Sequence, residues 1–150
     1  MKVVIASDHG GFQYKNLLLK DIRQQGYELI DLGAFSEEPS DYPDFAEIVA
    51  NAILNKDAAK GILICGSGVG VSVAANKFKG IRAGVCHDTY SAHQCIEHDD
   101  VNILCIGQRV IGIELAREIV LAFLAATFSQ EERHERRLRK INVIEEKNFK

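Results

Sequence analysis

Short apolar runs, each followed by a longer amphipathic stretch, constrain this chain more than any other feature. The runs are Lys2–Ala6, Tyr27–Leu32, Gly61–Cys65, Arg82–Cys86 and Asn102–Ile106. They are rich in Val, Ile and Leu, the pattern of strands covered on both faces. Helical patterns fill the intervals. Phe12–Gln25 sets Leu17, Leu18 and Ile22 on one face and stops at Gly26. Pro43–Lys56 opens with proline in its first turn and places Phe45, Ile48, Val49, Ala52 and Ile53 on one side. Val71–Phe78, Thr89–Glu97 and Ile113–Phe128 complete the set. Such alternation calls for a parallel sheet with helices on both faces and right-handed crossovers. No repeat, linker or composition break divides residues 1–150. The expected fold is a single doubly wound, Rossmann-like three-layer α/β domain on a five-stranded parallel sheet.

The tail from Ser129 to Lys150 reads differently. It is highly charged, opens with the capping-box pattern Ser129-x-x-Glu132, and carries a narrow apolar stripe of Leu138, Ile141 and Ile144. It is expected to be a helix docked by one edge, on its own domain or on a partner subunit.

Composition removes several classes of function. A chain of 150 residues buries enough surface to need no disulfide or metal staple. A net charge of −3 argues against nucleic acid, whose binding needs a basic surface. The longest apolar run, Ile119 to Ala126, is far short of a membrane span. Val3 to Ala6 gives way to Ser7-Asp8-His9 too soon for a signal-peptide core. A cytoplasmic protein without membrane partners is expected. Cys65, Cys86, Cys95 and Cys105 have neither C-x-x-C nor zinc-ribbon spacing. Cys86, Cys95 and Cys105 read as small buried side chains in a reducing compartment.

Chemistry belongs beyond the carboxyl ends of the strands. Those ends carry Asp8-His9-Gly10-Gly11, then Gly33, Cys65-Gly66-Ser67-Gly68-Val69-Gly70, His87-Asp88 and Gly107-Gln108-Arg109. Glycines at 66, 68 and 70 between a buried strand and a helix let backbone N–H groups converge on an anion, although a tight turn alone also uses glycine. Cys65 beside those donors is the candidate base or nucleophile. Val71 removes the matches to a dinucleotide fingerprint, a P-loop and a cysteine phosphatase loop. On the tail, Arg136 has Glu132 and Arg139 has Glu135 at i,i+4, whereas Arg133 and Arg137 have no acid at that spacing. Those two arginines are a candidate anion-binding face or a solvated basic edge. His87, His93 and His134 read as surface residues, and His98 as the end of a helix. A metal set of His9, His87 and Asp88 has no supporting spacing.

Ordered motifs along nearly the whole chain resemble one family. They are Ser7-Asp8-His9-Gly10-Gly11-Phe12, Asp41-Tyr42-Pro43, Ile64 to Gly70, Ala74-Ala75-Asn76-Lys77 and Gly80-Ile81-Arg82-Ala83. The series continues with His87 to Ala92, Asn102-Ile103-Leu104, Gly107 to Gly112 and Arg133-His134. The chain resembles the type B ribose-5-phosphate isomerases and the related galactose-6-phosphate isomerase subunits. The resemblance implies aldose–ketose interconversion of a sugar phosphate in the pentose phosphate pathway. It also implies no metal or organic cofactor and a homodimer, or a dimer of dimers, with composite sites. Cys65 then matches the base at C2, Gly66, Gly68, Val69 and Gly70 the anion hole, Ser67 a proton-transfer assistant and His98 the ring-opening residue. Asp8, His9, Tyr42, Arg109, Arg133 and Arg137 match sugar- and phosphate-binding positions. Asp99 stands where the family usually has Asn. Either the substrate differs slightly or a neighbour such as Arg109 neutralises the carboxylate. Alternatives are a six-carbon substrate, allose or galactose 6-phosphate, and a non-catalytic anion- or nucleotide-binding module.

Overall fold

The computed structural model describes residues 1–149. The strands are β1 (Lys2–Ser7), β2 (Glu28–Asp31), β3 (Lys60–Cys65), β4 (Ala83–Val85) and β5 (Ile103–Gly107). All pair in parallel, in the order β2-β1-β3-β5-β4. The helices are α1 (Phe12–Gln24), α2 (Tyr42–Leu54), α3 (Val69–Ala75), α4 (Thr89–Asp99), α5 (Ile113–Ala125) and α6 (Glu132–Asn148). The expected doubly wound sheet, three layers and tail helix are all present.

Side chains alternate across the strands, so each strand feeds two cores. Val3, Ile5, Ile62, Ile64, Leu104 and Ile106 pack beneath α1, α4 and α5, with Phe123 fully buried among them. Val4, Ala6, Leu63, Cys65, Ile103 and Cys105 pack beneath α2 and α3. Two helix faces are rotated slightly from the expected ones. Leu17 and Ile48 are exposed, while Leu19, Ala46 and Ala50 are buried in their place. An apolar face wide enough to accept either set cannot fix the rotation; the sheet surface does.

The fold positions the site through strand order. From β1 the chain moves outward to β2, then returns past β1 to β3. At that reversal the loops leaving β1 and β3 diverge and open a crevice at their carboxyl ends. Asp8 follows β1 and Cys65 ends β3, so both lie at the crevice.

The tail differs from expectation in two respects. The capping box is not formed: Glu131 is the N-cap, and Ser129 Oγ instead accepts the Glu131 N–H at 3.2 Å. The stripe is not covered, since Ile141 and Ile144 are exposed, as is Val143. The helix touches its own chain through His134, through Glu145, which accepts the Gly80 N–H at 2.8 Å, and through Glu146, which pairs with Lys79 at 2.7 Å. Among the described residues, no helix is long and apolar enough to cross a membrane.

Candidate active site

The loop after β3 is shaped by contact with the backbone of β5. A Cβ on Gly107 would lie 2.6 Å from the Ser67 carbonyl carbon, and one on Gly68 would lie 2.9 Å from the Ile106 carbonyl carbon. Gly68 also has φ +79°, a left-handed conformation that side chains resist. Two backbone bonds lock the loop in place: Gln108 N–H to Cys65 O at 2.9 Å and Arg109 N–H to Gly66 O at 3.0 Å. The helix begins at Val69 rather than at the expected Val71, so Val69 and Gly70 form its first turn.

This turn brings the Gly68 N–H to the Cys65 sulfur at 3.1 Å. A backbone donor aimed at sulfur complements negative charge there. The first helical hydrogen bond is Ser72 N–H to Gly68 O, so the N–H of Gly70 precedes the helical ladder and is available to a ligand. Ser67 Oγ accepts the Val69 N–H at 3.2 Å and keeps its own proton to donate. The helix has only seven residues, so individual N–H groups matter more here than any macrodipole.

A cavity of about 380 Å³ opens over this loop, lined by Asp8, Tyr42, Cys65, Ser67, Gly70 and Arg109. Tyr42, the first residue of α2, lies flat over Gly70, where a Cβ would meet its ring at 2.8 Å. The Arg109 side chain runs past Gly66. Asp8 is 7% exposed, and its Oδ1 has no hydrogen-bond partner. A buried carboxylate oxygen without a donor is costly.

His9 lies just beyond Asp8 in a short 3-10 turn, His9–Gly11. Its N–H donates to Ser40 Oγ at 3.2 Å, and the Ser40 N–H donates to its Nδ1 at 3.1 Å. The neutral ring therefore carries its proton on Nε2. His87, expected at the surface, is half-buried and accepts the Gly107 N–H on Nε2 at 2.9 Å. Burial holds its pKa below the usual histidine value. Asp88 caps α4 through Ser91, whose backbone and hydroxyl bonds hold its carboxyl below the usual range. His9, His87 and Asp88 are thus committed elsewhere and do not form a metal set. Among the described residues, no three His, Cys, Asp or Glu side chains are grouped to hold a metal ion.

The remaining expected residues are not at this cavity. The helix α4 leaves the carboxyl edge of the sheet and runs back about 16 Å to the opposite edge, at 1.5 Å per residue. His98 and Asp99 occupy its last turn. There the Asp99 carbonyl accepts Arg82 Nε at 3.2 Å, and Arg82 pairs with Asp100 at 3.0 Å. Within one chain Asp99 is therefore far from Arg109 and is not neutralised by it. Arg133 and Arg137 lie on α6, the helix whose His134 stacks on His98. Arg133 is not free of acids as its spacing suggested, because Glu131 reaches it at 2.6 Å from ahead of the helix. Arg139 pairs with Glu132 at 3.8 Å rather than with Glu135. A second hollow of about 430 Å³ at this opposite edge is lined by Lys56, Arg82, Asp100 and Asn102, with no cysteine, serine or histidine among its lining residues.

Two residues, Ser40 beside His9 and His134 beside His98, hold side chains that the sequence singled out. Ser40 sits in an irregular loop and carries no legible signal. His134 does have one: it precedes Leu138 and Ile141 by four and seven residues, on the stripe face of the tail helix. Instead of lying at the surface it is 2% exposed.

Comparison with known proteins shows which family the chain resembles. A family profile described as Ribose/Galactose Isomerase matches residues 3–141. The protein from Escherichia coli named ribose-5-phosphate isomerase B is 45% identical over 146 residues, covering 97% of each chain. A Mycolicibacterium smegmatis protein named D-erythrulose-4-phosphate isomerase 2 is 40% identical over 132 residues, covering 85% of this chain and 86% of its own. The solved structure of Clostridium thermocellum ribose-5-phosphate isomerase B superposes with a TM-score of 0.95 at 47% identity, covering 98% of this chain and 99% of the other. Since the match spans both the sheet that builds the cavity and the tail helix, the chain belongs to the ribose/galactose isomerase family, a family of sugar isomerases.

Proposed function

We propose that this protein interconverts ribose 5-phosphate and ribulose 5-phosphate, with Cys65 as the base. The observation that carries this reading is the Gly68 N–H on the Cys65 sulfur, in a cavity shared with an unpartnered Asp8 carboxylate oxygen. Moving a proton between adjacent carbons needs a base, a cradle for the oxyanion and a clamp on a remote charge.

In the proposed reaction the Cys65 thiolate removes the proton from C2 of the open-chain aldose. Electrons move into the C1 carbonyl, and an enediolate forms. The N–H groups of the loop, Gly70 included, face its oxygens. Ser67 donates and accepts as the hydroxyl proton moves between O1 and O2. The Cys65 thiol then returns its proton to C1, giving the ketose. Asp8 accepts a sugar hydroxyl, His9 donates from Nε2, Tyr42 closes one wall, and Arg109 meets an anionic oxygen.

We place ring opening and the phosphate clamp on His98, Asp99, Arg133 and Arg137 of the partner subunit in a homodimer. Two facts support this: those residues lie at the wrong edge of the sheet to serve their own Cys65, and α6 leaves Ile141, Val143 and Ile144 uncovered. The free state of all four cysteines favours a reducing, cytoplasmic setting.

A four-carbon substrate is a second reading, favoured by the M. smegmatis relative's name. The test is an isomerisation assay of purified protein on four-, five- and six-carbon aldose phosphates. Ribose 5-phosphate should give the highest kcat/KM. Cys65→Ala should fold normally and lose about 10³-fold, roughly 4 kcal/mol of transition-state stabilisation. Near-normal turnover by that variant removes Cys65 from the mechanism.

A further inference from the structure

His134 is the buried residue of a helix that is otherwise half-exposed or exposed along its described length. Its ring stacks on that of His98, with centroids 4.0 Å apart and planes inclined at 26°. On its outer side, His134 Nδ1 meets Ser129 Oγ at 2.6 Å. That serine is itself held, because its N–H donates to Glu97 O at 3.0 Å, one residue before His98. His98 Nδ1 meets the Gln94 side-chain amide at 2.7 Å. The loop ahead of α6 thus returns to the last turn of α4 and clamps one imidazole face against another.

We propose that His134 is a positioning residue: held by Ser129 and stacked on His98, its ring fixes the plane of the His98 imidazole. The proposal rests on the assignment of ring opening to His98. Opening a furanose needs one group to take the proton from the anomeric hydroxyl and to supply one to the ring oxygen. An imidazole can do both from one position, provided its plane is held while its proton changes. Gln94 alone restrains one ring nitrogen; the stack restrains the plane.

Burial and the charges around the pair disfavour protonation of His134. Burial opposes its protonation, and so do His98, Arg133 and Arg137, while only Glu131 at the start of α6 favours it. On α4 the groups flanking His98 are the uncharged Gln94 and the carboxylate of Asp99. Two stacked imidazoliums at this separation would repel strongly. Both rings come from one chain, so the pair enters a shared site as one unit.

The test combines a double-mutant cycle with a spectroscopic reading. His134→Ala should lower kcat/KM for ribose 5-phosphate about tenfold or more. His134→Phe keeps a flat ring against His98 and should retain clearly more activity than the alanine variant. His134→Ala added to His98→Asn should cost nothing further, because its effect passes through His98. If the losses multiply instead, or if Phe and Ala are equally impaired, His134 serves only to hold α6 and its arginines, and the proposal fails. Independently of any substrate, the ring protons of His98 should show an upfield ring-current shift in NMR spectra. That shift should persist in His134→Phe and vanish in His134→Ala, or in His134→Gln should the alanine variant not fold. An unchanged His98 spectrum overturns the stack. Wild-type protein inactive on every sugar phosphate would instead sink the isomerase reading, with the NMR result still deciding the stack.

Discussion

Gly107→Ala puts one methyl group where the structure has no room for it. The added Cβ would lie 2.6 Å from the Ser67 carbonyl carbon and 2.7 Å from its Cα and carbonyl oxygen. Ordinary contact begins near 3.4 Å, so the Ser67 backbone must retreat by the better part of an ångström. It cannot do so alone, since the carbonyls of Cys65 and Gly66 just before it are tied to Gln108 and Arg109. The strand end or the anion loop must shift, and the loop is the softer of the two. A displacement of about 1 Å in a positioning element costs roughly 10²-fold in rate, or about 2.7 kcal/mol of barrier. Overpacking of this kind costs about 1–3 kcal/mol of stability, which a domain with the usual 5–15 kcal/mol survives. The assay pairs kcat/KM on ribose 5-phosphate with urea unfolding of the same preparation. A folded variant should lose about a hundredfold while its stability falls modestly. Wild-type kinetics in a folded Gly107→Ala would mean that the loop geometry does not matter to catalysis.

The proposed sharing of the site between two subunits makes complementary lesions separable. Cys65→Ala and Arg137→Ala, each inactive, should recover about a quarter of wild-type activity when unfolded and refolded together, because half the dimers then hold one intact site; a mixture that stays dead assigns both residues to one chain's site. For pH, His87 and His134 both have folded-state pKa values below 6.5, so the unfolded chain binds more protons as acid is added. Their stabilising contribution is present above about pH 6.5 and is lost as the pH falls through the folded values. Urea unfolding at a series of pH values should show that decline, and a flat profile would contradict it. Asp99→Asn should raise kcat/KM for ribose 5-phosphate or change the preference between five- and six-carbon phosphates; identical kinetics on every substrate would show that residue 99 does not reach the sugar.

The layered sheet was legible because its causes are local. Apolar runs such as Gly61–Cys65 must be buried on both faces, and the amphipathic stretches between them must cover those faces. The glycine loop with Cys65 was legible for a similar reason: strand, loop and helix are contiguous, and glycine is needed wherever backbone meets backbone. The long-range partners were not. Nothing near Gly107 in the chain announces that Ser67 lies against it or that His87 accepts its N–H. Ser40 caught the His9 ring from an irregular loop with no periodicity to betray it.

Spacing along the tail misjudged Arg133, because Glu131 reaches it from outside the helical repeat, and misjudged His134, because a charged helix looks solvated until its docking is known. By itself the sequence determined the fold class, the crevice edge and the place of Cys65 beside backbone N–H donors, all consequences of short-range pattern and backbone sterics. Only the tertiary structure decided that His98, Asp99, Arg133 and Arg137 lie at the far edge of the sheet from Cys65. The direction of α4 across the sheet sets that distance, and direction across a sheet is a property of packing rather than of any one segment.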